Sequence, residues 1–209
     1  NIRFPTERAH GIQVAHMCSA FAQRGAEVTL VVPDRKTFSD DPFSYYGVKR
    51  NFKIEKVSVP DIVRFGTIGF FIESILFARR AVIRIKREAG AIIYTREEWP
   101  LLFLSHRGAF YEAHQIRKSI FFRMLLRRVK GIISISQGLK DALIKIGSQE
   151  GKILVAHDGY DEKQFAERLS KSEARIRLGL PQDKKIAMYI GGLESWKGAE
   201  TFCKAAKSL

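Results

Sequence analysis

A histidine one residue beyond a short apolar run is the most chemically suggestive feature of this sequence. In Tyr111-Glu112-Ala113-His114-Gln115, His114 directly follows a strand-like segment, where an α/β sheet receives its ligands. An imidazole there can hydrogen-bond a hydroxyl or a phosphate. Three further segments occupy comparable places. Residues 5–16, PTERAHGIQVAH, form a basic loop running into a helix; free N–H groups and the helix dipole suit a phosphate there, and Gly11 permits close backbone approach. Residues 156–161, AHDGYD, place Asp158 and Gly159 just after a strand, where they supply turn chemistry and help to shape a cleft. Residues 189–202, YIGGLESWKGAETF, read as a strand, a Gly191-Gly192 turn, and Lys197 before Gly198 at the opening of a helix. A lysine at a helix N-terminus beside a glycine turn is a compact diphosphate site, although the P-loop spacing GxxxxGK[ST] is absent. Arg96 follows the AIIY run (91–94) and is expected to face the same cleft. Singly, a loop glycine, a surface histidine and a turn-forming aspartate account for Gly11, His114 and Asp158; their combination points to a ligand.

These residues need a scaffold that lines up strand ends. Apolar spacing predicts a helix from Ile12 to Ala22 closed by Gly25, then strands at 27–33 and 52–59 and a long helix at 67–88. Strands follow at 91–94, 109–112, 131–135 and 153–156, with helices at 119–129 and at 138–146, the latter capped by Ser136 and ended by Gly147. A short helix at 172–178 leads to a linker at 179–181, then a strand at 186–190 and a helix at 197–209. Short buried strands alternating with helices predict a Rossmann-like, doubly wound parallel sheet. Residues 1–180 are expected to form this domain without its first strand, and 181–209 to begin a second, similar domain. A lone strand and helix would leave Ile186, Met188, Ile190, Phe202 and Leu209 without the partners that bury them.

Composition narrows the function classes. Of 209 residues, 45% are hydrophobic and 28% charged, which suits a packed globular protein rather than a disordered one. The most apolar stretch, 65–78, is interrupted by Glu73 and is too short to span a bilayer. Cys18 and Cys203 form no CxxC pair, so a reducing, cytoplasmic setting is expected. The net charge is +14, and residues 62–130 hold 14 Lys/Arg against 5 Asp/Glu, which favours an anionic partner. In RKSIFFRMLLRRVK (117–130), Arg123, Arg127 and Lys130 share a helix face flanked by Phe122, Leu126 and Val129. That face suits either peripheral contact with the inner, anionic membrane surface or a packed helix with a solvated basic side. A basic nucleic-acid-binding module without catalytic activity is the alternative, disfavoured because the 15 Phe residues mostly fall in core-like patterns.

In this order and at these intervals, YTREEW (94–99), YEAHQ (111–115), ISQGLKDAL through AHDGYD (135–161) and YIGGLESWKG (189–198) resemble the family-4 retaining glycosyltransferases of the GT-B fold, over nearly the whole chain. The resemblance implies two Rossmann-like domains facing across a cleft, the first receiving a sugar, lipid-linked or other hydroxyl acceptor, the second a nucleotide-diphospho-sugar donor. Carried over, His114 contacts the transferred sugar, Gly11 lies near the donor phosphates, and Lys197, with Gly191 and Gly192, holds the diphosphate. Many members carry arginine where this chain has Gly192, and a double glycine where it has Ala9-His10-Gly11. No Asp-x-Asp occurs, which agrees with a metal-independent reaction needing no cofactor.

Overall fold

The computed structural model describes residues 3–36, 41–88, 90–104, 108–117, 119–162 and 165–206; Leu209 lies outside them. The chain divides into two compact units, Asn1–Asp158 and Gly159–Leu209, whereas the sequence pattern placed its boundary at 180/181.

The first unit opens with helix α1 (Ala9–Gln23), which buries Gly11, Ala15 and Ser19 at four-residue spacing. Strands β1 (Thr29–Asp34) and β2 (Lys53–Ser58) pair in parallel, Thr29 opposite Lys53. Between them lies α2 (Pro42–Tyr46), capped by Asp41 and closed by Gly47 in the left-handed region. Helix α3 (Gly66–Ile85) turns Phe77, Ala78, Ala81 and Val82 inward.

Strands β3 (Tyr94–Thr95), β4 (Phe110–Ala113), β5 (Gly131–Ser134) and β6 (Ile153–Val155) form a parallel sheet in that order. Helices α4 (Pro100–Phe103), α5 (Ile120–Arg128) and α6 (Gln137–Lys145) make the crossovers. Tyr111, Ala113 and Ile132 enter one core with Val82, Leu101, Phe122, Leu125, Leu126 and Leu143. Ser119 and Ser136 start α5 and α6 by accepting from the Phe122 and Leu139 amides at 3.1 and 3.2 Å.

The architecture is α/β with parallel strands, arranged among the described residues as two sheets, β1-β2 and β3-β4-β5-β6. The expected strand at 91–94 begins its ladder only at Tyr94, and Ile92 is exposed. Helix α5 takes the second of its two expected settings, a packed helix with a solvated basic side: Phe122, Leu126 and Val129 are 1–3% exposed and belong to the core, while Arg123, Arg127 and Lys130 are exposed.

In the second unit, α7 (Lys171–Arg177) starts with a reciprocal Ser170–Glu173 capping box. A single 3₁₀ turn, Ser195–Lys197, precedes Gly198 in the left-handed region and helix α8 (Ala199–Ala206). Residues 186–190 form no strand, contrary to expectation. A strand is defined by its hydrogen-bonded neighbour, and Ile186, Met188 and Ile190 are all exposed. Among the described residues no helix is long and apolar enough to cross a membrane.

Candidate functional site

Alternation along β4 decides the site. Tyr111 and Ala113 enter the core, so Glu112 points to the opposite side of the sheet. Its carboxylate is 2% exposed and is met by three donors. The Tyr94 hydroxyl donates to Oε2 at 2.5 Å. His114 Nε2 lies 2.5 Å from Oε1, and Arg96 Nε lies 3.5 Å from the same oxygen. A buried carboxylate is tolerable only with such partners. Burial, then the hydrogen bond to Glu112, push the Tyr94 phenol above its ordinary pKa, so it stays a donor.

This network assigns the imidazole protons. Nε2–H donates to Glu112, which leaves the Nδ1 lone pair facing Arg96 Nη2 at 3.3 Å. Across the cluster, the Asp158 carboxylate accepts from Gln13 Nε2 on α1. Nearby His10 has its pKa lowered by burial and then by the positive charges of Arg96 and Arg8. His10 Nε2 and Arg96 Nη1 are buried without a hydrogen-bond partner among the described residues.

Ligand atoms of Glu112, His114 and Asp158 lie within 4.8 Å of one another, close enough to hold a metal ion. Both Glu112 oxygens are already engaged, by Tyr94, His114 and Arg96, and one Asp158 oxygen by Gln13. The guanidinium beside Glu112 also opposes a cation, so the donor set fits a metal poorly.

A cavity of about 150 Å³ opens beside His114, lined by Arg96, Glu98, Trp99, Gln115 and Arg117 among others. Arg117 Nε pairs with Glu98 at 2.7 Å, yet burial raises the Glu98 carboxyl above the usual range. Phe71 meets Trp99 edge-on at 5.0 Å, which fixes the indole at the cavity wall.

The family model for Glycosyltransferase Family 4 matches residues 11–164, a span that includes the cluster from Gln13 to Asp158. The chain belongs to glycosyltransferase family 4. A D-inositol 3-phosphate glycosyltransferase of Streptomyces avermitilis is 32% identical over 62 residues, 30% of this chain and 13% of that protein. Crystal structures of Anabaena Alr3699/HepE superpose with a TM-score of 0.63. The complex with UDP-glucose is 15% identical and that with UDP and glucose 18%. Both matches cover 97% of this chain and 55–56% of theirs, so this family-4 chain spans about half the length of HepE. The likeness places it in the GT-B fold.

The fold thus brings His114, Arg96 and Asp158 together, and adds Glu112, Tyr94 and Gln13, which sequence reasoning had not singled out. The signal for Glu112 was present: an acid inside a short apolar strand, two positions before a histidine, shares that histidine's side of the sheet. Gly11 is buried in α1, where a side chain would strike the Tyr46 hydroxyl and Thr6. Its glycine is therefore required by internal packing. Gly159, Gly191, Gly192 and Lys197 belong to the second unit. There Lys197 Nζ lies 3.1 Å from Glu194 and 5.2 Å over the Trp196 ring, and the Tyr189 hydroxyl donates to the Gly192 carbonyl at 2.7 Å.

Proposed function

We propose that this chain forms the acceptor-side part, and the beginning of the donor side, of a retaining glycosyltransferase acting on a nucleoside-diphosphate sugar. The acceptor hydroxyl attacks the anomeric carbon while the bond to the diphosphate breaks, and the hydroxyl proton leaves with the diphosphate. The observation that carries this reading is His114: in a family-4 chain it stands at the end of β4, oriented by Glu112 and Arg96, at the mouth of a cavity. Its role is to hydrogen-bond the transferred sugar and hold the reacting carbon in place. No metal is needed on this reading, because the acids of the cluster are already bound to protein donors. Leaving-group charge falls instead to Lys197, released from Glu194, with the Gly191-Gly192 turn. The acceptor is a hydroxyl of a sugar or of a lipid-linked sugar. Family membership favours this over a nucleic-acid-binding module; the Phe pattern does not help to decide, because Phe21, Phe65, Phe70, Phe71, Phe121 and Phe165 are exposed rather than in the core as the sequence suggested.

UDP-glucose, the ligand of the HepE complex, is the first donor to assay with the full-length enzyme. His114→Ala is expected to lower kcat roughly 10²-fold or more, with the melting temperature little changed. Unchanged kcat with a lower melting temperature would make His114 a structural residue and sink the assignment. Turnover should persist in EDTA, and the product should keep the donor's anomeric configuration by NMR.

A further inference from the structure

We propose that the acceptor is amphiphilic: its hydroxyl-bearing head enters the cavity beside His114, and its apolar chain lies along the outward side of the first turns of α3. The inference rests on the transferase reading and names the class of acceptor for that same site. Helix α3 begins shortly after β2, at the carboxyl end of the strand, which is the edge of an α/β sheet where ligands bind.

That end of the helix is apolar on its outside. Ile68 is 74% exposed, Phe71 47% and Ile72 45%. At about 100° per residue, Phe71, Ile75, Ile68 and Ile72 follow one another around the outward side, while Glu73, Phe77 and Ala81 turn inward. The 3₁₀ turn Val63–Phe65 closes on the start of the helix at Gly69, where a side chain would strike the Ile62 carbonyl. This brings the exposed Phe65 ring to the same end. The apolar band runs about 10 Å along the helix and stops at the exposed Arg79.

Continuity decides what covers the band. Phe71 meets Trp99 edge-on at 5.0 Å, and Trp99 lines the cavity with Glu98, His114 and Gln115. Those polar groups offer donors and acceptors to hydroxyls, and the indole leads from them onto aliphatic surface. A saccharide alone would leave the band wet. A protein partner takes roughly 20–30 residues a side, far more than this strip offers. An alkyl chain carried by the head group needs only a narrow apolar track that starts at the cavity wall.

The test is isothermal titration calorimetry of the full-length enzyme with methyl, hexyl and octyl β-glucopyranosides, each below its critical micelle concentration. Affinity should rise at least about twofold per added methylene. Ile68→Ser/Ile72→Ser should weaken the octyl glycoside at least about fivefold and leave the methyl glycoside unchanged. Both side chains are exposed, so the melting temperature should hold. Ile83→Ser, outward on α3 beyond Arg79, is the control and should change nothing. Affinity independent of chain length, or a chain-length gain unmoved in Ile68→Ser/Ile72→Ser, overturns the proposal. So does loss of self-association in that variant, by light scattering, while the octyl glycoside still binds as in the parent; the band would then belong to a second copy of the chain. The two readings fail separately. Absence of turnover with every nucleotide-sugar sinks the transferase reading, whereas turnover with a KM that ignores the acceptor's chain length sinks this one.

Discussion

Glu112 and Glu73 are both buried carboxylates paired with an arginine that follows a strand, yet only one marks a site. Glu73, on α3, is fully buried against Arg35, itself 14% exposed, and its Oε2 has no hydrogen-bond partner. Burial lowers the Arg35 pKa, with Asp61 opposing that shift. This pair ties α3 to the end of β1. Glu112 has its oxygens satisfied, and its partners carry the chemistry outward: His114 is 28% exposed and Arg96 22%, both on a cavity wall. Burial of charge alone therefore does not indicate function. What distinguishes Glu112 is that it aligns groups that remain reachable.

Substitution should separate the two glutamates. The largest stability effect is expected for Glu73→Ala, which removes a fully buried carboxylate from its arginine and should cost about 3–5 kcal/mol in urea unfolding. Arg35→Met/Glu73→Leu should recover most of that loss, because the pair can be replaced by apolar packing. A cost below about 1 kcal/mol for Glu73→Ala would mean the pair is solvated and the contrast fails.

Glu112→Gln should cost less stability, about 1–3 kcal/mol, while lowering kcat in the full-length enzyme at least about tenfold by releasing the imidazole. ¹⁵N NMR of His114 supplies the readout a purely structural role would not move: Nε2–H in the parent, a mixed population in the variant. An unchanged tautomer would show that Glu112 merely fills space.

The smallest effect concerns His10, beside Arg96. Its folded-state pKa is depressed, so the unfolded chain binds the proton first. Stability is then fully present above about pH 6.5 and is lost as pH falls through that value toward the folded pKa. His10→Gln should flatten the melting-temperature profile between about pH 7.5 and 5.5. An identical slope in parent and variant would place the titration elsewhere.

Much of this was legible in the chain because it is local. Ser119 and Ser136 cap helices where an oxygen precedes an apolar period, and Gly25 and Gly147 end helices where a positive φ is required. His114 and Arg96 stood out because in an α/β sheet the residues just past a strand face ligand space. The short helices α2 and α4 passed unread: four or five residues are too few for a period to show, although Asp41-Pro42 and Trp99-Pro100 are sound helix starts.

By itself, then, the sequence determined the alternation of elements, the caps that begin and end them, and the family to which their order belongs. Tertiary structure decided the rest. Spacing shows which residues share a face, but only the neighbours decide which face turns inward. That is why Phe122, Leu126 and Val129 went into the core and Ile120 and Met124 out of it. It is also why residues 186–190, β-branched and apolar as they are, form no strand: a ladder needs a second backbone to receive its hydrogen bonds. And Glu112 acquired its role only when the sheet brought Tyr94 and Arg96, 18 and 16 residues away in the chain, against one carboxylate.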